Sequence, residues 1–193
     1  MYQGTNTKAI RSQTEIAQSM VRLMHEKPYE KILISDICEK AGLSRRTFYN
    51  LFDSREEVLR FYLLSICREP FERLSQKEDL IVEDITDIFS SVLESNRDLL
   101  ITMTENHLSG IITDAIADNV TLFARRFLKK DSDKDLLPYY EAILSGAISK
   151  VMLLWLTTDQ PLDTDRFVTV LRRFLNGEIY HSPEACYISS PGG

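Results

Sequence analysis

The sequence predicts an all-α protein: an N-terminal three-helix unit built around a helix-turn-helix, followed by a larger helical bundle. Three observations carry that reading. Apolar residues recur at helical spacing along nearly the whole chain, and the strand-like run Ile32-Leu33-Ile34 lasts only three residues. Helix-start signals recur, as Ser12-x-x-Glu15 and Ser54-x-x-Glu57 capping boxes and as single serines at Ser35 and Ser44. Gly42-Leu43-Ser44 leaves only three residues between two helical segments, too few for anything but a tight turn.

In chain order, the first helix opens at the Ser12 capping box, carries Ile16, Met20, Leu23 and Met24 on one face, and ends near Lys27-Pro28, because a residue before proline is pushed out of the helical region. A short second helix spans Asp36 to Ala41, with Ser35 as its cap. Gly42 suits the left-handed position past a helix end, and Ser44 caps a third helix from about Arg45 to Phe52. The fourth starts at Ser54 and runs through Phe61, Leu64 and Ile66. Beyond Pro70 the stripe Ile81, Ile85, Ile88, Phe89 and Val92, preceded by Glu78 and Asp79, is expected to end in a turn at Asn96. A second stripe, Ile112, Ile116, Phe123 and Phe127, closes with Arg125, Arg126, Lys129 and Lys130 in its last turn. Asp135 to Thr157 is apolar nearly all round, which predicts a helix buried on several sides. Phe167, Val170, Leu171 and Phe174 form a last stripe between Pro161 and Gly177. The expected division is therefore 1–55, 56–177, and a tail 178–193 without periodicity that is expected to be mobile.

Composition excludes several classes. The 193 residues are 44% hydrophobic and 27% charged, which is globular rather than disordered. Three cysteines (Cys38, Cys67, Cys186) are an odd set with no C-x-x-C pair, arguing against a disulfide framework and a thiolate metal site; a reducing, cytoplasmic setting is expected. The N-terminus lacks the apolar core of a signal peptide, and the most apolar stretch, Ala142 to Leu156, is about 15 residues where a bilayer span needs about 20, so no membrane partner is expected. Net charge is -6, unevenly distributed: residues 1–55 hold nine Lys+Arg against six Asp+Glu, while the remainder holds 14 against 23. A basic module attached to an acidic body suggests a nucleic-acid module carried by something else.

The second helix of a helix-turn-helix presents its N-terminal side chains to the major groove. Ser44, Arg45, Arg46 and Thr47 supply a hydroxyl cap, two guanidiniums suited to guanine edges or phosphate, and a methyl-bearing hydroxyl; Tyr49 and Asn50 follow, while Phe48, Leu51 and Phe52 face inward. The run from Ile34 to Leu59 strongly resembles the DNA-binding region of TetR/AcrR-family transcriptional regulators: Phe48-Tyr49, Phe52 three residues later, then Ser54-Arg55-Glu56. The resemblance is close over about residues 10–62. It implies a homodimer of about nine helices per chain, in which helices 1–3 bind double-stranded DNA, helix 4 links, helices 5–9 hold an effector pocket and the last two pair with their mates. It further implies base reading by Ser44, Arg45, Arg46 and Thr47, and phosphate contact by Tyr49, Ser54 and Arg55. Leu51 stands where the family often has His, and Asp53 where Lys is common; Lys8 and Arg11, in an arm before the first helix, are expected to compensate. Repression of a palindromic operator, relieved by a small effector, is the family default; a coactivator that binds a protein partner instead of DNA is the alternative.

For the acidic remainder, Phe89, Met103, His107, Phe123 and Tyr140 are expected to line a pocket for a small, largely apolar effector, and Trp155, Phe167, Val170, Leu171 and Phe174 to form the dimer interface. No catalytic residue, metal site or cofactor is expected. His25, His107 and His181 lack ligand spacing, and there is neither a Gly-rich phosphate loop nor a G-x-S-x-G elbow.

Overall fold

The computed structural model describes residues 1, 4, 6–77, 81–127 and 135–179, leaving out the side chains of residues 69, 71, 73, 75 and 122–127. Eight α-helices and one 3-10 turn make up the described residues, one helix fewer than the resemblance implies, and no strand occurs among them. They are α1 (Thr7–Glu26), the 3-10 turn Tyr29–Lys31, α2 (Ile34–Ala41), α3 (Arg45–Leu51), α4 (Arg55–Ser75), α5 (Val82–Glu105), α6 (Ser109–Phe127), α7 (Leu137–Thr157) and α8 (Thr164–Leu175).

The chain caps its first helices earlier than the serines suggest. The Asn6 side chain accepts the Lys8 N–H at 3.0 Å, so α1 starts at Thr7, and the Ser12 to Glu15 box lies within it. Lys8 and Arg11 therefore sit on the first turns of α1 instead of an arm before it. The helix ends as Pro28 requires, with Lys27 extended at φ -155°. α2 begins at Ile34 because the Asp36 carboxylate accepts the Leu33 N–H at 2.9 Å and is held by Lys27 at 2.5 Å; Leu33, not Ser35, is the cap. Gly42 is left-handed, φ 65°, and its N–H and that of Leu43 return to the Glu39 and Cys38 carbonyls. α3 follows with Ser44 as its cap, accepting the Thr47 N–H at 3.0 Å.

Ile16, Met20, Ile32, Ile37, Phe48 and Phe52 fill the space between α1, α2 and α3, and Val58, Leu59 and Phe61 of α4 close it. Phe52 meets Phe48 and Phe61 at ring separations of 5.9 and 5.6 Å, so the small domain is welded to the long helix that leaves it. α4 continues through Pro70, which lies within it.

α5 runs straight through Asn96, where a turn was expected. The Asn96 side-chain amide donates back to the Val92 carbonyl at 2.8 Å and leaves the helix intact. The turn comes instead at Asn106–Leu108, with His107 at φ 60°. α6 packs on α4 and α7, and α5 packs on α8, giving a bundle whose core joins that of the N-terminal domain. Glu78 and Asp79, the basic groups at 125, 126, 129 and 130, the Phe127 side chain and the tail from 180 onward lie outside the description.

α7 corrects the sequence reading twice. It is 21 residues long, enough by length and apolarity to cross a membrane, but it is a bundle helix packed on α6 and α5. Nor is it buried on several sides. Ser149, Met152, Trp155 and Leu156 are covered, whereas Ile143 and Leu154 remain 61% and 65% exposed on the opposite side.

Candidate nucleic-acid interface and interior cavity

α3 sorts its residues by the helical period. Phe48 and Leu51 face the core, while Ser44, Arg45, Arg46, Tyr49 and Asn50 are exposed and Thr47 is half-buried. The Ser44 and Thr47 hydroxyls lie 2.9 Å apart, so the cap that starts the helix also orders the first side chains on its outer face. Tyr49 is 57% exposed and stands edge-on to Phe48 at 5.6 Å, a rigid mount that leaves its hydroxyl outward. Among the described residues neither Arg45 nor Arg46 forms an ion pair. Beside α3 lies a shallow cleft of about 410 Å³ edged by Leu33, Ser35, Arg45 and Tyr49. Lys8 and Arg11 are exposed on the first turns of α1.

In the turn between α3 and α4, Ser54 and Arg55 both have partners within the chain. Ser54 spends its oxygen on the α4 N-terminus, accepting the Glu57 N–H at 3.2 Å. Arg55 is half-buried and edges the same cleft as Arg45 and Tyr49. It stacks over the Tyr29 ring at 4.4 Å and donates to the Tyr29 carbonyl at 3.0 Å and to the Ile32 carbonyl. The Tyr29 hydroxyl in turn donates to Glu56. Burial and that bond push the Tyr29 phenol well above its usual range. Burial works against ionisation of Glu56, yet the Tyr29 hydroxyl, its own N–H and Ser54 hold its carboxyl below the ordinary value. This brace joins residues 26 apart in the chain, so no local spacing could reveal it. Leu51 is 5% exposed and belongs to the core. Asp53 is open to solvent, its side chain 83% exposed, and its N–H donates to Glu57.

The bundle holds a cavity of about 350 Å³ walled by α4 to α7 and by Leu175 of α8. Of the four expected residues whose side chains are described, only Phe89 lines it. Met103 is sealed in the core beside the α5 C-terminus, His107 is exposed on the turn after α5, Tyr140 lies on the outer side of α7, and the Phe123 side chain lies outside the description. The wall is otherwise aliphatic, apart from Asn119 and Cys67. Burial pushes the Cys67 thiol up to about 11.

The residues expected at a dimer interface are also redistributed. Trp155 stacks on Phe167 at 4.6 Å, donates to the Leu162 carbonyl at 2.6 Å and carries Arg97 over its ring at 5.3 Å. With Leu171 also buried, three of the five are spent joining α7 to α8 and α5 within one chain; Phe174 is half-buried and Val170 exposed.

A glycine-turned pair of short helices with a cationic outer face, fused to a helical bundle, is a helix-turn-helix arrangement of the kind that docks in a DNA groove. Residues 16–60 match the bacterial regulatory proteins, tetR family. Over 52 residues, 27% of this chain, it is 42% identical to the HTH-type dhaKLM operon transcriptional activator DhaS of Lactococcus lactis, and that match spans 28% of the relative. The whole fold is shared with solved structures at lower identity. Lin0861 of Listeria innocua superposes with a TM-score of 0.69 at 17% identity, covering 92% of this chain and 96% of that one. The fatty acid degradation regulator FadR of Bacillus halodurans gives 0.58 at 16% over 94% and 100%, and a TetR transcriptional regulator of Streptococcus agalactiae gives 0.53 at 18% over 87% and 95%.

Proposed function

We propose that the chain binds a palindromic operator as a homodimer and represses transcription until a small effector enters the bundle cavity. The observation that carries the DNA reading is the outer face of α3, where Arg45, Arg46, Tyr49 and Asn50 stand exposed, with no acidic partner among the described residues, while Phe48 and Leu51 anchor the helix. Lys8 and Arg11 add positive charge from α1 and serve as phosphate contacts. The exposed apolar side of α7, with Ile143 and Leu154, together with Val170 of α8, is the face we assign to the partner copy. A second reading, activation, is favoured by the role named for the Lactococcus relative. That relative is matched over 52 residues, 28% of its length, which does not carry the sign of regulation over to this chain.

Gel shift against duplexes from the gene's own upstream region, at two salt concentrations, tests the DNA reading. Binding is expected, with affinity that falls steeply as salt rises. No preference for any upstream duplex over scrambled DNA would move the protein-binding coactivator reading ahead. A reporter fused to the bound promoter then separates the signs: expression rises on deletion of a repressor and falls on deletion of an activator.

A further inference from the structure

We propose that the bundle cavity takes an uncharged, mainly apolar molecule of about a dozen non-hydrogen atoms that presents one hydroxyl or N–H group to the side-chain oxygen of Asn119; this rests on the effector reading above. The size follows from a volume of about 350 Å³, at the low end for small-molecule sites, divided by the roughly 30 Å³ that a water-sized group occupies. The polarity follows from the wall. Among the described residues that line it, none carries a charge, and only Asn119 on α6 bears a strong hydrogen-bonding side chain.

Asn119 is oriented by its own helix. Its amide donates one of its two N–H groups to the Ala115 carbonyl at 2.8 Å, and because a carbonyl can only accept, this bond fixes which end of the amide is nitrogen. The second N–H and the side-chain oxygen are left to a guest, and the oxygen is satisfied only by a donor. Cys67, across the cavity on α4, adds no charge at neutral pH, since burial holds its thiol protonated. An anionic guest would be stripped of water without gaining a cationic partner, which disfavours carboxylates and phosphorylated metabolites strongly. Selection is therefore by the presence of one donor on an apolar body.

Three probes of nearly equal size decide this: 1-nonanol, its methyl ether and nonanoate, titrated calorimetrically into the full chain, with operator release followed in parallel by gel shift. The alcohol is expected to bind about tenfold more tightly than the ether, which can accept from the second Asn119 N–H but leaves the Asn119 oxygen without a donor, and nonanoate to bind least. Asn119→Leu should bring alcohol and ether to within about twofold of each other. Equal binding of alcohol and ether to the unmodified chain, tightest binding by nonanoate, or no binding by any probe each overturns the proposal without relying on the variant's folding. Should the alcohol bind in the expected order yet leave the operator complex intact, the ligand class stands and the effector reading is the one that fails.

Discussion

Arg55 and Arg46 are the same residue type nine positions apart, and their surroundings give them opposite work. Arg55 is stacked on Tyr29 and bonded to two carbonyls of the segment before α2, so it holds the small domain's geometry. Arg46 has no such partner. Arg55→Ala is expected to lower stability by about 1.5–3 kcal/mol, the range for charge-assisted hydrogen bonds, and to weaken DNA binding while leaving the salt slope unchanged. Arg46→Ala should instead weaken a preferred operator by about 1–3 kcal/mol more than random DNA, with little change in melting temperature. A salt slope reduced by about one in the Arg55 variant would return that residue to the phosphate contacts. Asp53 gives the complementary case. It stands exposed at the turn entering α4, so Asp53→Lys should tighten binding to operator and scrambled duplex alike and steepen the slope by about one. Unchanged affinity in that variant would mean the turn faces away from DNA.

At the scale of elements, α4 belongs to both halves. Its first turns close the N-terminal core, and its middle lines the cavity through Leu63, Ile66 and Cys67. Arg60 on α4 grips Asp118 on α6 through two nitrogens, at 2.6 and 3.1 Å, and Asp118 precedes Asn119, which faces the cavity. The pair is solvent-exposed, so its loss should cost less than about 1 kcal/mol of stability. Its position predicts a different effect. Arg60→Ala should shrink the change in operator affinity caused by a cavity ligand while leaving the ligand's own affinity nearly intact, because a coupling energy exists only if the ligand's state is felt at the second site. Equal coupling in variant and parent, measured by DNA titration with and without 1-nonanol, would place the linkage elsewhere. α7 offers the other test at this scale: Ile143→Asp on its exposed side should convert a sedimenting dimer into a monomer with a chain mass of 22.3 kDa.

For the whole molecule, stability should fall on both sides of neutrality for different reasons. Glu57 is held below the ordinary carboxylate range by the Asp53 N–H, and Glu56 by Tyr29 and its neighbours against the opposing effect of burial. Lowered folded values mean stability that is present above the unfolded value of 4.5 and is lost as pH falls through the folded ones. Cys67 runs the other way. Raised from 9.0 to about 11, it contributes stability that is whole below pH 9 and disappears as pH climbs towards 11. Denaturant midpoints of the parent and Cys67→Val across pH 8 to 11 should differ in slope, by up to about 2 kcal/mol at the alkaline end. Parallel curves would show that the thiol is less enclosed than the cavity wall suggests.

Local physics was enough to read the DNA-binding half from the sequence. A left-handed glycine, a capping serine two residues later, and the 3.6-residue period that turns Phe48 and Leu51 inward and Arg45, Arg46 and Tyr49 outward are all settled within one or two helical turns. The same locality explains the misreadings nearby. Ser12 and Ser35 are adequate caps, but Asn6 and the Leu33–Asp36 pair cap first, and a helix takes the earliest sound N-terminus. The bundle was legible as helices but not as a site. Which face of α5 meets the cavity, whether Trp155 spends its ring on Phe167 or on a second chain, and whether Arg55 meets DNA or Tyr29 depend on pairings across tens of residues. Apolar periodicity marks a buried side without saying what buries it. The packing of one helix against another, which only the tertiary structure supplies, decided that Asn119 rather than His107 faces the interior.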